Sequence, residues 1–210
     1  MTTEARIVPL PHGSPQWQRA ATRAKHLSWL SLAYMGLEGA IAVIAAILAG
    51  SVALLGFGID SAIEALASII IVWRFTGSRT LSETAERRAQ YAVAVSFFLL
   101  APYVAYEAIS KLIGREHAET SWLGIALSAL SLAVMPILGI MKQRLGTQLD
   151  SEAVAGEGTQ NLICGYLAAG VLLGLLANTL FGWWWLDPVV ALAIAALCVW
   201  EGIEAWRGED

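Results

Sequence analysis

Two carboxylates, Asp60 and Glu64, stand four residues apart inside a long apolar stretch, SVALLGFGIDSAIEALASIIIVW, residues 51–73. On a helix that spacing puts both acids on one face, about one turn apart. No Lys or Arg occurs in the stretch before Arg74. A charge deep in a bilayer is costly, so an acid there faces a partner, a cavity or an ion. A membrane-embedded cation site is the first chemistry this spacing supports. Glu38, Glu107 and Glu157 fall in other apolar stretches, and the sequence places no basic residue well inside any of them. Such acids either carry protons or hold a cation that expels the protons. The two states in alternation describe a metal/proton exchanger.

A second constellation supplies partners. Glu157, Gln160, Asn161 and Cys164 follow the spacing i, i+3, i+4, i+7, which is one helix face. Counted from residue 51, Asp60 lies ~13 Å and Glu64 ~19 Å along a helix axis. Counted from residue 153 at the opposite end, Gln160 lies ~10 Å and Cys164 ~16 Å along. In a hydrocarbon core ~30 Å thick these levels overlap. Asp60, Glu64, Gln160 and Cys164 are therefore expected at one point, with Glu157 nearer the cytoplasm as an access or proton-handling group. Glu38, mid-span on the first segment, is a further candidate ligand or proton site. Whether Glu157 or Glu38 completes the site stays open at this level. The bland readings are hydrogen bonding between helices for Gln160 and Asn161, and simple burial for Cys164.

The elements that position these residues follow from composition. Hydrophobic residues make up 57% of the chain and charged residues 14%, and the mean hydropathy is +0.62. Soluble domains carry about one quarter charged residues, so an all-α polytopic membrane protein is expected. Six apolar segments, at 27–49, 52–73, 91–113, 121–141, 153–180 and 184–205, each approach the ~20 residues a spanning helix needs. Residues 1–26 form a polar N-terminal segment, 27–205 a six-helix transmembrane domain and 206–210 a tail. Gly50 and Ser51 make the first hairpin turn, and residues 74–90 and 142–152 read as polar links. Within them, Arg79, Glu83, Glu86, Arg87 and Arg88 read as a solvated cluster, and Lys142 and Arg144 as link residues.

All Lys and Arg except Lys111 and Arg115 fall on one side of this arrangement, which places both termini in the cytoplasm. Trp29, Trp73, Tyr91 and Trp206 then mark the inner interface, and Trp122 and Trp183–Trp185 the outer one. Gly36, Gly39, Gly50, Gly56 and Gly58 permit close approach of the first two helices. Glu107 reads as an interface residue and Asp187, before Pro188, as a cap. Cys164 and Cys198 lie in different segments, which indicates no disulfide. No signal peptide is read at the start, and no basic cluster points to nucleic acid.

The residues now carry a resemblance. SVALLGFGIDSAIEALAS (51–68) and SEAVAGEGTQNLICGYL (151–167) resemble the cation diffusion facilitators, or cation efflux family, in polar pairs at i, i+4 on the second and fifth helices. The resemblance implies proton-coupled export of zinc or a related divalent metal, a homodimer, and, from small bacterial members, the bacterial inner (plasma) membrane. Asp60 and Glu64 match the family's second-helix ligand pair. The fifth helix departs: Gln160 and Cys164 stand where the family usually has His or Asp followed by Asp, so the chain resembles a divergent branch. The cytoplasmic metal-sensing domain usual in the family is not expected after the sixth segment. No His lies in the core: His12 and His26 are near the start, and His117 is in an outer link. A core without imidazole is unusual for zinc, and carboxylate, amide and thiol ligands together leave Zn²⁺, Co²⁺, Fe²⁺ and Mn²⁺ open; the resemblance makes zinc the first expectation. No resident cofactor is implied. A non-transporting metal-binding or regulatory membrane protein is the alternative. An intramembrane enzyme with paired carboxylates has no supporting motif.

Overall fold

The structure is a computed structural model and describes residues 8–49, 52–114 and 122–207. Within the helices a few side chains, Asp60 and Asp187 among them, lie outside the description, as do Gly50, Ser51, Arg115 and His117. The described residues form six long helices: α1 (Pro15–Ala49), α2 (Val52–Arg74), α3 (Glu83–Gly114), α4 (Trp122–Leu149), α5 (Glu152–Phe181) and α6 (Leu186–Arg207). A 3₁₀ turn, Gly77–Leu81, joins α2 to α3, and the described residues include no strand. The all-α expectation is met. Among the described residues, four stretches are long and apolar enough to cross a bilayer: Pro15–Ile44, Glu83–Gly114, Ile125–Leu149 and Pro188–Arg207.

Polarity runs opposite to that of a soluble protein. Ile44, Ile47, Ile69, Leu99, Ile137 and Trp200 are exposed, while Ser31, Glu38, Glu64, Lys142, Glu157 and Asn161 are buried. Water would penalise such an outer surface. A lipid exterior removes the penalty and makes interior hydrogen bonds the means of joining helices.

Each core helix buries a stripe with alternating steps of three and four residues. On α1 it runs Trp17, Ala21, Ala24, Ser28, Ser31, Met35, Glu38, Ala42; on α2, Ser61, Glu64, Ser68, Ile71; on α4, Met135, Leu138, Lys142, Leu145, Leu149; on α5, Val154, Glu157, Asn161, Cys164, Ala168. This is the seam of antiparallel bundle packing, with polar groups set into it. The helices pair α1 with α2, α4 with α5 and α3 with α6, and α2 also meets α5. Close approach depends on glycine. A Cβ at Gly158 would lie 2.8 Å from Gly139 O, and one at Gly139 would lie 2.8 Å from Gly158 O. Gly39 and Gly58 oppose each other across α1 and α2 as expected, whereas Gly36 meets open space.

Three expected boundaries are corrected. α1 begins at Pro15 rather than residue 27, because Trp17, Ala20, Ala21 and Ala24 bury an amphipathic extension and Ser14 Oγ accepts from Trp17 N at 3.1 Å as a cap. α3 begins at Glu83 rather than residue 91, with Ser82 Oγ capping Ala85 N at 3.2 Å. α4 continues to Leu149, so the link of residues 142–152 is mostly helix. The chain reverses at Asp150, whose φ is 53°, while Ser151 N donates to Gly146 O at 3.0 Å. Asp187, expected as a cap, falls inside α6.

Candidate cation site

α2 carries Asp60 and Glu64 one turn apart, and Glu64 is 2% exposed. Gln160 and Cys164 are buried on α5, the helix α2 meets. Cys164 packs in one cluster with Met35 of α1, Ala65 of α2, and Met135 and Leu138 of α4. The residue after Glu64 thus shares a buried cluster with Cys164, at the junction of four helices. Among the described residues, no three His, Cys, Asp or Glu side chains gather into a metal-binding group; the Asp60 side chain is outside that set.

Two buried atoms near these positions, Ser68 Oγ and Gln160 Nε2, have no hydrogen-bond partner among the described residues. The Gln160 amide has a further constraint. Ser96 Oγ on α3 lies 2.7 Å from Val93 O and 3.2 Å from Gln160 Oε1. One hydroxyl proton cannot serve both acceptors. With that proton on the nearer Val93 O, a half-turn of the amide lets Nε2 donate to Ser96 Oγ. The carbonyl oxygen then takes the position opposite, where an N–H could not serve a cation.

Glu38 is held by hydroxyls from three helices. Tyr34 Oη donates to Oε1 at 3.1 Å, Ser131 Oγ of α4 donates to the same oxygen, and Ser61 Oγ of α2 donates to Oε2 at 3.4 Å. Tyr34 Oη and Ser131 Oγ are themselves 3.0 Å apart. Glu38 therefore sits beside the residue that follows Asp60, wrapped in donors.

The expectation that no basic residue enters the bundle is overturned. Lys142, expected in a link, is completely buried on α4, about 10 Å along the axis from the helix end at Leu149. Its Nζ lies 2.7 Å from Glu157 Oε1, 2.8 Å from Asn161 Oδ1 and 2.6 Å from Ser31 Oγ. Ser28 Oγ lies 2.6 Å from Glu157 Oε2, and Asn161 Nδ2 is 3.1 Å from Met135 Sδ. Glu157 and Asn161, both expected near the ion, are thus engaged by a lysine. The reason is the seam: Lys142 stands on the buried stripe of α4, so its charge must be matched inside.

Glu86 departs from the solvated cluster in the same way. Its Oε2 lies 2.7 Å from Nε of the buried Arg74, whose guanidinium also donates to Arg79 O. Its Oε1 accepts from Ser151 Oγ at 2.6 Å and from Ala153 N at 3.3 Å, at the start of α5. An anion there meets the helix's unsatisfied N–H groups and its dipole. Glu107 instead makes an i, i+4 pair with Lys111 at 3.2 Å, both partly exposed.

Hydropathy alone misses Lys142, Arg74, Ser28, Ser31 and Ser131, because it averages over helix faces. Stepping by three and four from Met135 and Leu138 reaches Lys142 directly.

A helical bundle with apolar faces outside and acids on its inner stripes is an integral membrane protein built to hold charge within a bilayer. The sequence profile of the cation efflux transmembrane domain matches residues 28–207, and the chain belongs to the cation efflux family, as the resemblance implied. It is 26% identical over 186 residues to an uncharacterized transporter of Synechocystis, covering 84% of this chain and 58% of that protein. It is 26% identical over 198 residues to Transmembrane protein 163 of Xenopus laevis, covering 92% and 69%. It is 26% identical over 190 residues to the cation-efflux pump FieF of Shewanella oneidensis, covering 85% and 61%. The chain thus spans about three fifths of the length of the transporter and the pump.

Proposed function

We propose that this protein exports a divalent metal cation in exchange for protons, at a site between α2 and α5 formed by Asp60, Glu64, Gln160 and Cys164. The observation that carries the reading is the burial of Glu64, one turn from Asp60, on the helix that meets the α5 face of Gln160 and Cys164. Family membership supports cation efflux as the activity. The thiol and carboxylates favour Zn²⁺, with Co²⁺, Fe²⁺ and Mn²⁺ as further substrates. Glu38, buried on α1 within hydrogen-bond reach of Ser61 on α2, is the neighbouring acid available to take a proton as the ion leaves. Six spans, cytoplasmic termini, a homodimer and a bacterial inner membrane complete the reading. The placement of Lys and Arg supports the orientation, and helix rocking exposes the ion to each side in turn.

Elemental analysis of purified wild type beside Asp60→Ala and Glu64→Ala tests the site: wild type retains metal and both variants lose it. Proteoliposomes test the activity. Metal entering the vesicles drives protons out, and a lumenal dye reads the rise in pH. Metal flux without proton movement rejects exchange. Metal binding without flux selects the non-transporting reading, which neutral Gln160 favours.

A further inference from the structure

The Lys142 ammonium fills a cage made by other helices. Its three N–H groups meet three oxygens of different chemistry: the Ser31 hydroxyl of α1 at 2.6 Å, and the Glu157 carboxylate at 2.7 Å and Asn161 amide at 2.8 Å of α5. Each of the two α5 side chains is held by a second contact. Ser28 Oγ, 2.6 Å from Glu157 Oε2, fixes the carboxylate. The contact of Asn161 Nδ2 with Met135 Sδ turns the amide oxygen toward the ammonium. Lys142 and Ser31 are fully buried, and Glu157 and Asn161 are each 1% exposed. A hydroxyl, an amide oxygen and one carboxylate, oriented by their neighbours and closed to solvent, form the donor set of a hard-cation site. All three oxygens come from α1 and α5, and the cation from α4.

We propose that this cage is a second cation site, permanently filled by the tethered Lys142 ammonium, and that removing the lysine opens it to a monovalent cation from solution. Charge fixes the class of ligand. The cage holds one negative charge, so a monovalent ion neutralises it, whereas a divalent ion would leave a buried net charge. Ammonium and potassium are the matching probes. In the intact protein the tether keeps loose ions out of this level of the bundle and confines ion binding to the site of the α2 acids. The cage does not depend on which metal those acids take, or on whether they take one.

The experiment compares thermal unfolding of purified full-length wild type, Lys142→Ala, and Lys142→Met with Glu157→Gln. Each is measured in potassium or ammonium chloride and in choline chloride at equal ionic strength. Choline is too large for the cage. The expected result is a saturable rise in the Tm of Lys142→Ala with potassium or ammonium and no difference for wild type. The double variant has no charge to neutralise and is also expected to show no difference. If Lys142→Ala cannot be isolated in choline, recovery of monodisperse protein when potassium or ammonium is present throughout supports the cage equally. Equal Tm values in all three salts overturn the proposal, as does failure to recover the variant in any of them. An equal response in the double variant also overturns it, because the ion would then bind elsewhere.

Discussion

Lys142 Nζ of α4 lies 2.7 Å from Glu157 Oε1 of α5, with both side chains sealed inside the bundle. Neutralising a buried acid with a lysine on the adjacent helix separates Glu157 from Asp60 and Glu64, whose segment carries no base before Arg74. Breaking such a pair from one side leaves an uncompensated buried charge and costs about 3–5 kcal/mol, whereas replacing both partners together is often neutral. Lys142→Met alone is therefore expected to destabilise the protein strongly, and adding Glu157→Gln to restore most of the loss. Unfolding of the three proteins in detergent checks this. A double variant as unstable as Lys142→Met means that the ion pair is not what the lysine contributes.

Cys164 is the one soft ligand in the proposed α2–α5 set, so it sets the order of metals. Replacing thiolate by hydroxyl weakens zinc and cobalt more than manganese, which prefers oxygen. Cys164→Ser is expected to lower zinc affinity on the order of ten-fold or more, the scale of a perturbed metal site, with a much smaller effect on manganese. Competition titrations of the two metals measure the ratio. A uniform loss across metals would place Cys164 in packing alone, within the buried cluster it shares with Met35 and Met135.

The sequence made some of this legible and hid the rest for one physical reason. Asp60 and Glu64 stood out because their segment is otherwise apolar, and the glycines at 39 and 58 because small residues cluster where helices touch. Lys142, Arg74 and Glu86 were obscured because charge near the end of an apolar run reads as solvated when hydropathy is averaged over all faces. The buried stripe does not average. Lys142 belongs to it together with Leu138 and Leu145, and Ser28 and Ser31 belong to that of α1. The early starts of α1 and α3 were hidden likewise, since Ala24 and Ala89 bury against neighbours while contributing little to an apolar signal.

Glu86 joins three elements: Arg74 at the end of α2, its own helix α3, and the first turn of α5 through Ser151 and Ala153. Glu86→Ala removes the carboxylate from a buried guanidinium and from an N-terminal cap at once. Loss of the cap costs about 1 kcal/mol and loss of a charged hydrogen bond about 1.5–3 kcal/mol. The expected result is destabilisation by about 3 kcal/mol without a change in the metal content of protein that remains folded. Thermal unfolding and elemental analysis on the same preparation separate these outcomes. Loss of metal from folded Glu86→Ala would tie this end of the bundle to the ion.

Two glycines give opposite expectations for the same substitution. At Gly158 a methyl group would lie 2.8 Å from both Gly139 O and Gln143 N, so α4 and α5 would have to part. Forcing bulk into a tight contact costs about 1–3 kcal/mol, and here the atoms in the way belong to backbone, which cannot rotate aside. At Gly36 on α1 the same methyl meets nothing within 4 Å, and alanine gains up to about 1 kcal/mol in helix propensity over glycine. Gly158→Ala is expected to lower Tm and Gly36→Ala to leave it unchanged or raise it. Separation of α4 from α5 would also stretch the cage around Lys142, so Gly158→Ala should cost less when Lys142→Met and Glu157→Gln are already present. Additive losses would show that the glycine contact and the buried ion pair hold the two helices independently.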